Sequence, residues 1–64
     1  MPHYQVRLRI PGESGVGWST RVEVQPFEQL TDRELQRRAR RQAVAAFGRQ
    51  ARGWTLIDAV RKRG

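Results

Sequence analysis

Two short runs of alternating apolar and polar residues constrain the fold more than any other feature of this sequence. The first covers residues 3–10 and the second covers residues 18–25. A period of two indicates a strand with one buried face. Residues 11–17 lie between the runs and are rich in turn formers, so the runs are predicted to pair as an antiparallel hairpin. Pro26 cannot donate to a strand ladder and ends the hairpin, which spans about residues 3–25.

A helix with a well-defined start follows the hairpin. Thr31 and Glu34 have the spacing of a capping box, and Leu30 and Leu35 flank it as a hydrophobic staple. The helix is predicted over about residues 31–47 and is followed by Gly48, the residue type favoured just past a helix end. The residues predicted to face the sheet form a narrow, alanine-rich stripe, which would let the helix lie close against the sheet. The stripe consists of Leu35, Ala39, Ala43 and Ala46.

Residues 54–60 fit either a third strand or a short helix. As a strand, alternate residues from Trp54 to Val60 share one face, Asp58 included; as a helix, Thr55 would cap it. The strand is favoured, because a lone hairpin packed on one helix is marginally stable. The sequence therefore predicts a single α+β domain over residues 1–64. It is a small two-layer β-β-α-β unit, with a three-stranded, mainly antiparallel sheet and one helix packed on one face. A frayed basic tail follows at residues 61–64.

The predicted core collects the inner faces of these elements. Its members are Tyr4, Val6, Leu8, Trp18, Val22, Val24, Phe27, Leu35, Ala39, Ala43, Phe47, Trp54 and Leu56. The outer face of the sheet is predicted to be polar and mildly basic. It comprises His3, Gln5, Arg7, Arg9, Ser19, Arg21 and Glu23, with Arg61 as a further candidate. Because this face has no aromatic residue, it lacks the stacking platform used by RNA-recognition motifs.

The positive charge is concentrated in the second half of the chain. The whole sequence has 13 Lys and Arg against 6 Asp and Glu, a net charge of +7. The charges of residues 1–30 cancel, so residues 31–64 carry the entire excess. With about 100° of rotation per residue, four arginines cluster opposite the apolar stripe of the helix, and Arg38 lies at their border. These four are Arg33, Arg37, Arg40 and Arg41. Val44 projects from the same face as a surface residue.

This distribution favours a small nucleic-acid-binding protein, with DNA or RNA as the partner. The predicted phosphate-contacting residues are Arg33, Arg37, Arg40, Arg41, Arg49, Arg52, Arg61, Lys62 and Arg63. The alternative is a small regulator, inhibitor or assembly subunit, of the kind that phages and mobile elements encode, that docks on an acidic protein surface. Either protein could be a monomer with a barely sufficient core or a homodimer.

The sequence contains no motif for catalysis, metal binding, phosphate-loop binding or membrane insertion. Cysteine is absent, and the one histidine, His3, has no partner pattern for catalysis, so neither an enzyme nor a cofactor or metal site is expected. The glycine-rich segment 12–17 precedes a strand, whereas phosphate loops precede a helix, so it is interpreted as a hairpin loop. The longest apolar run has five residues, Ala43 to Phe47, and no membrane contact is expected. A cytoplasmic location is the expectation that follows.

Overall fold

The computed structural model describes residues 1–12 and 17–63, and the predicted α+β architecture is confirmed. Its elements are β1 (His3–Arg9), β2 (Gly17–Glu23), α1 (Asp32–Phe47), a 3₁₀ helix (Gly48–Gly53) and β3 (Thr55–Lys62). The strand order is β2-β1-β3 and both pairings are antiparallel. The helix α1 covers one face of the sheet. Most of the predicted hairpin loop, residues 13–16, lies outside the described residues, as does Gly64 at the end of the predicted tail.

β1 is the central strand and supplies the middle of the core. Val6 and Leu8 are fully buried between the flanking strands and α1. Leu8 stands opposite Trp18 of β2 and Leu56 of β3, so one apolar layer crosses all three strands. The buried cluster that holds helix and sheet together consists of Val6, Leu8, Val22, Leu35, Ala39, Ala43, Ala51 and Trp54.

A β-bulge in β3 changes which residues face the helix. Arg7 pairs with Asp58 and its neighbour Leu8 pairs with Leu56, so Ile57 is an extra residue with no partner on β1. Asp58 therefore stands on the outer face of the sheet, opposite Arg7, whereas Ala59 packs against the core. The prediction that Asp58 shares a face with Leu56 is wrong, because strict alternation does not hold across a bulge.

Both ends of α1 follow the sequence prediction. The Thr31 side-chain oxygen accepts a hydrogen bond from the Glu34 backbone N–H at 3.2 Å, which confirms the N-cap. The Glu34 carboxylate does not complete the capping box; it accepts a bond from Arg38 Nε at 2.9 Å. Gly48 has φ +83°, a conformation that residues with a Cβ rarely adopt, and its N–H bonds to Val44 O.

Several predicted burial assignments are wrong. Phe27 is 87% exposed and lies on the turn between β2 and α1. Ala46, predicted on the inner stripe of the helix, is exposed, whereas Ala51 of the 3₁₀ helix is buried against α1. Val44, predicted on the surface, is half-buried and packs against this core.

Trp18, Phe47 and Trp54 form an aromatic cluster at one end of the sheet. Phe47 lies 5.5 Å from Trp18 and 5.3 Å from Trp54 between ring centroids. Trp54 is buried in the cluster, but Phe47 is 42% exposed at its rim, so the prediction of Phe47 as a core residue is wrong. Trp18 and Trp54 are therefore core residues, as predicted, with Trp18 at the border.

The prediction of a frayed tail at residues 61–64 is also wrong in part. β3 continues through Lys62, because Tyr4 and His3 of the central strand pair with Arg61 and Lys62. His3, predicted on the polar outer face, is buried in this pairing, and its Nδ1 has no hydrogen-bond partner among the residues that the structure describes.

Candidate nucleic-acid interface

α1 carries a row of three arginines on the side turned away from the sheet. Arg33, Arg37 and Arg41 are four residues apart, so they lie on successive turns of one helix face. All three are exposed, whereas Leu35, Ala39 and Ala43 on the opposite side are buried. With a rise of about 1.5 Å per residue, the row is about 12 Å long. We call these three residues the arginine row.

Acidic residues neutralise little of the arginine row. Arg37 Nε lies 3.5 Å from Glu34 Oε2, a loose contact in which the Arg37 side chain stays 71% exposed. Glu34 is held more closely by Arg38. Among the described residues, Arg33 and Arg41 make no ion pair. Like charges four residues apart on a helix repel by a few tenths of a kcal/mol, so the row is electrostatically unfavourable to the free protein.

Arg40, predicted to contact phosphate with the row, has a structural contact. Its Nε donates a hydrogen bond to the backbone oxygen of Trp54 at 2.9 Å, and the side chain is half-buried. One turn earlier on the same side of the helix, Gln36 Oε1 accepts a bond from the Leu56 backbone N–H at 2.8 Å. These two side chains attach α1 to the start of β3.

Gln42 makes the corresponding contacts on the other flank of α1. Its Nε2 donates to the Arg21 backbone oxygen at 3.0 Å, and its Oε1 accepts from the Thr20 hydroxyl. Gln36, Arg40 and Gln42 thus hold the helix to both edge strands. This arrangement fixes the direction in which the arginine row points.

The basic character of the helix side continues past the end of α1. Arg49 and Arg52 are exposed on the 3₁₀ helix. From Asp32 to Gly53 the chain has seven arginines and two acidic residues, and both acids are in the first turn of α1. The helix layer therefore carries most of the net charge.

The three predicted residues at the C-terminus lie at and beyond the end of β3, and not on α1 with the arginine row. Arg61, a candidate for the outer face of the sheet, lies instead on the helix side, because it pairs with Tyr4. Its guanidinium donates to the backbone oxygens of Pro26, at 2.9 Å, and Glu28. It also lies 5.5 Å from the Tyr4 ring centroid. Lys62 pairs with His3, at the end of the sheet. Arg63 is exposed beyond the strand.

The outer face of the sheet has three arginines, and acids accompany two of them. Arg7 Nε donates to Asp58 Oδ1 at 2.9 Å, and Arg21 Nε lies 2.8 Å from Glu23 Oε1. The hydrogen bond and charge of Arg7 lower the pKa of Asp58, and those of Asp58 raise the pKa of Arg7. Arg7 and Arg21 are thus each paired with an acid on this face, whereas Arg9 is exposed and makes no ion pair among the described residues.

The described residues contain neither a group of metal-binding side chains nor a membrane-spanning helix. Residues 1–12 and 17–63 contain no group of three His, Asp or Glu side chains placed to hold a metal ion. Over the same residues, no helix combines the length and apolar character needed to cross a bilayer. Comparison with protein-family models, curated proteins and solved structures finds no match.

The sequence predicts the arginine row, but the positions of Arg40 and Phe27 differ from the prediction. A helical wheel does not separate Arg40 from its neighbours, because it gives direction and not the position of the next strand. Phe27 is predicted in the core, although Pro26 just before it is the residue type favoured at the second position of a tight turn. That turn signal could have placed Phe27 at the surface.

Proposed function

We propose that this chain is a small nucleic-acid-binding protein that contacts phosphates through the arginine row of α1. The observation that carries the proposal is the contrast between two surfaces of one small domain. On the outer sheet face, Arg7 and Arg21 have carboxylate partners, and only Arg9 of its three arginines has none among the described residues. On the helix face, Arg33 and Arg41 have none among the described residues, and Arg37 has only a loose one.

A polyanion would relieve the repulsion along the row. The three guanidinium groups span about 12 Å. The phosphates of one strand of a duplex follow one another about every 3.4 Å along the helix axis, so the row can contact several of them. Arginine also offers paired N–H donors that match the oxygens of a phosphate. Arg49 and Arg52 extend the same layer and supply further phosphate contacts.

The test is an amide NMR titration of the protein with duplex DNA, single-stranded DNA and hairpin RNA. We expect shifts centred on residues 33–41 that fade between about 50 and about 200 mM salt, because phosphate contacts release counterions. Two charge-matched variants locate the interface. Arg37→Gln with Arg41→Gln removes two charges from the row, and Arg9→Gln with Arg21→Gln removes two exposed charges from the outer sheet face.

The row variant should lose most of the affinity, and the sheet variant should keep it. Equal losses in the two variants would mean that net charge alone attracts the nucleic acid and that the row is not the interface. The absence of shifts with all three nucleic acids, in a well-dispersed spectrum, would contradict the proposal and leave an acidic protein surface as the ligand of the row. Such a partner would bind with a weaker dependence on salt.

A further inference from the structure

Phe27 is the most exposed large apolar residue of the described chain. It is 87% exposed and lies on the turn between β2 and α1. Single exposed apolar residues are common on protein surfaces and need no function. The turn that carries Phe27 is unusual because of how firmly it is held.

Hydrogen bonds from within the turn and from β3 fix its backbone. The Glu28 N–H bonds to Gln25 O at 3.0 Å, which closes the turn, and the Gln25 N–H bonds to the Glu28 carboxylate at 3.1 Å. From β3, Arg61 donates to the backbone oxygens of both Pro26 and Glu28. Pro26 adds a fixed φ immediately before Phe27.

An exposed ring on a fixed backbone is preorganised for binding. A ligand that covers Phe27 need not order the loop that presents it, and this ordering is one of the main costs of association. The aromatic ring itself has few rotatable bonds to immobilise. The turn thus has the properties of an anchor, although the fold gains almost no burial from the Phe27 side chain.

The surroundings of the ring are basic. Phe27 borders an open groove of about 660 Å³, which is within the size range of ligand pockets. Arg61 and Arg63 line this groove, together with Gln29, and no carboxylate does so among the described residues. Arg61 is engaged with the turn, so Arg63 is the cation available to a ligand beside the ring.

We infer that Phe27 stacks against an unpaired nucleobase while Arg63 contacts a neighbouring phosphate. An aromatic ring beside a cation is the arrangement with which proteins hold single-stranded nucleic acid. The inference rests on the proposed function and adds to it a preference for unpaired strands. Arg33, the first residue of the arginine row, is only six residues from Phe27, so the two lie within about 22 Å and one strand can reach both.

The experiment compares wild type, Phe27→Ala and Phe27→Tyr on a short oligothymidylate and on a DNA duplex of the same length. Stacking of one base on an aromatic ring typically changes affinity by about tenfold or more. We expect Phe27→Ala to weaken oligothymidylate binding about tenfold and to leave duplex binding unchanged, because paired bases cannot stack on the ring. Phe27→Tyr retains the stacking surface and should bind like the wild type.

The outcomes separate the inference from the proposed function. If Phe27→Ala binds oligothymidylate like the wild type while Arg37→Gln with Arg41→Gln binds it weakly, the inference is wrong and the proposed function stands. An apolar protein segment would then be the occupant left for the groove. If the wild type binds neither of these DNAs nor hairpin RNA, both fail. Because Phe27 is so exposed, unchanged thermal unfolding should verify that Phe27→Ala is folded.

Discussion

Arg40 and Arg41 are adjacent arginines to which the structure gives different roles, so the same substitution at each should separate folding from binding. Arg40 Nε bonds to the Trp54 backbone oxygen, whereas Arg41 is exposed in the arginine row. Methionine has a helix propensity close to that of arginine and keeps an apolar stem, so each Arg→Met change removes one charge with little other effect on the helix.

The expected magnitudes follow from the contacts. A hydrogen bond from a charged donor contributes about 1.5 kcal/mol or more, and here its loss leaves the carbonyl of a buried residue without that partner. Arg40→Met should therefore lower Tm by about 6–12 °C, since 1 kcal/mol shifts Tm by about 4–8 °C in a domain of this size. Arg41→Met loses no such bond and should leave Tm unchanged, or raise it slightly by relieving repulsion with Arg37.

Binding should show the reverse pattern. The logarithm of the binding constant falls with the logarithm of salt concentration, with a slope of about −0.9 for each phosphate neutralised on a duplex. Arg41→Met should make this slope shallower by about 0.9, and Arg40→Met should leave it unchanged. Calorimetry and fluorescence anisotropy at several salt concentrations measure the two quantities. Equal Tm losses, or equal changes of slope, would refute the division of roles.

Two further predictions concern stability. Thr31→Ala removes the side chain that accepts the Glu34 N–H and should cost about 1 kcal/mol in urea unfolding, whereas Thr31→Ser should cost little; equal losses would show that the cap contributes nothing. Arg7 holds the pKa of Asp58 below its usual 3.8, so the pair contributes stability above about that pH and loses it as the pH falls through the lowered value. Because both groups are exposed the contribution is small, but Arg7→Gln should move the Asp58 pKa back up in an NMR titration of its carboxyl group; an unmoved pKa would contradict the assignment of the shift to Arg7.

The elements of this fold are predictable because local patterns specify them. Two runs of period two predict β1 and β2, and the cap at Thr31 with the glycine at 48 marks both ends of α1. Each of these features depends on neighbours within a few residues in the chain. The outward direction of the arginine row follows from the same helical periodicity.

The errors arise where contacts between distant residues decide the outcome. The apolar character of Phe27 predicts a core position, but the residue lies on a turn that Arg61 holds from the other end of the chain. The charge of Arg40 predicts a place with the row, but its partner is the carbonyl of Trp54. Ala51 is buried because a 3₁₀ helix packs back against α1. Periodicity within one segment contains none of this information.

The bulge at Ile57 has a consequence for how the chain tolerates changes in length. Without Ile57, the order Leu56, Asp58, Ala59, Val60 and Arg61 alternates strictly, and each residue keeps the face that it has now. Loss of any single residue after the bulge would instead turn every later side chain of β3 to the opposite face. Codon 57 is therefore the position in this strand where a deletion should be tolerated in evolution, and the first place to shorten the chain by design.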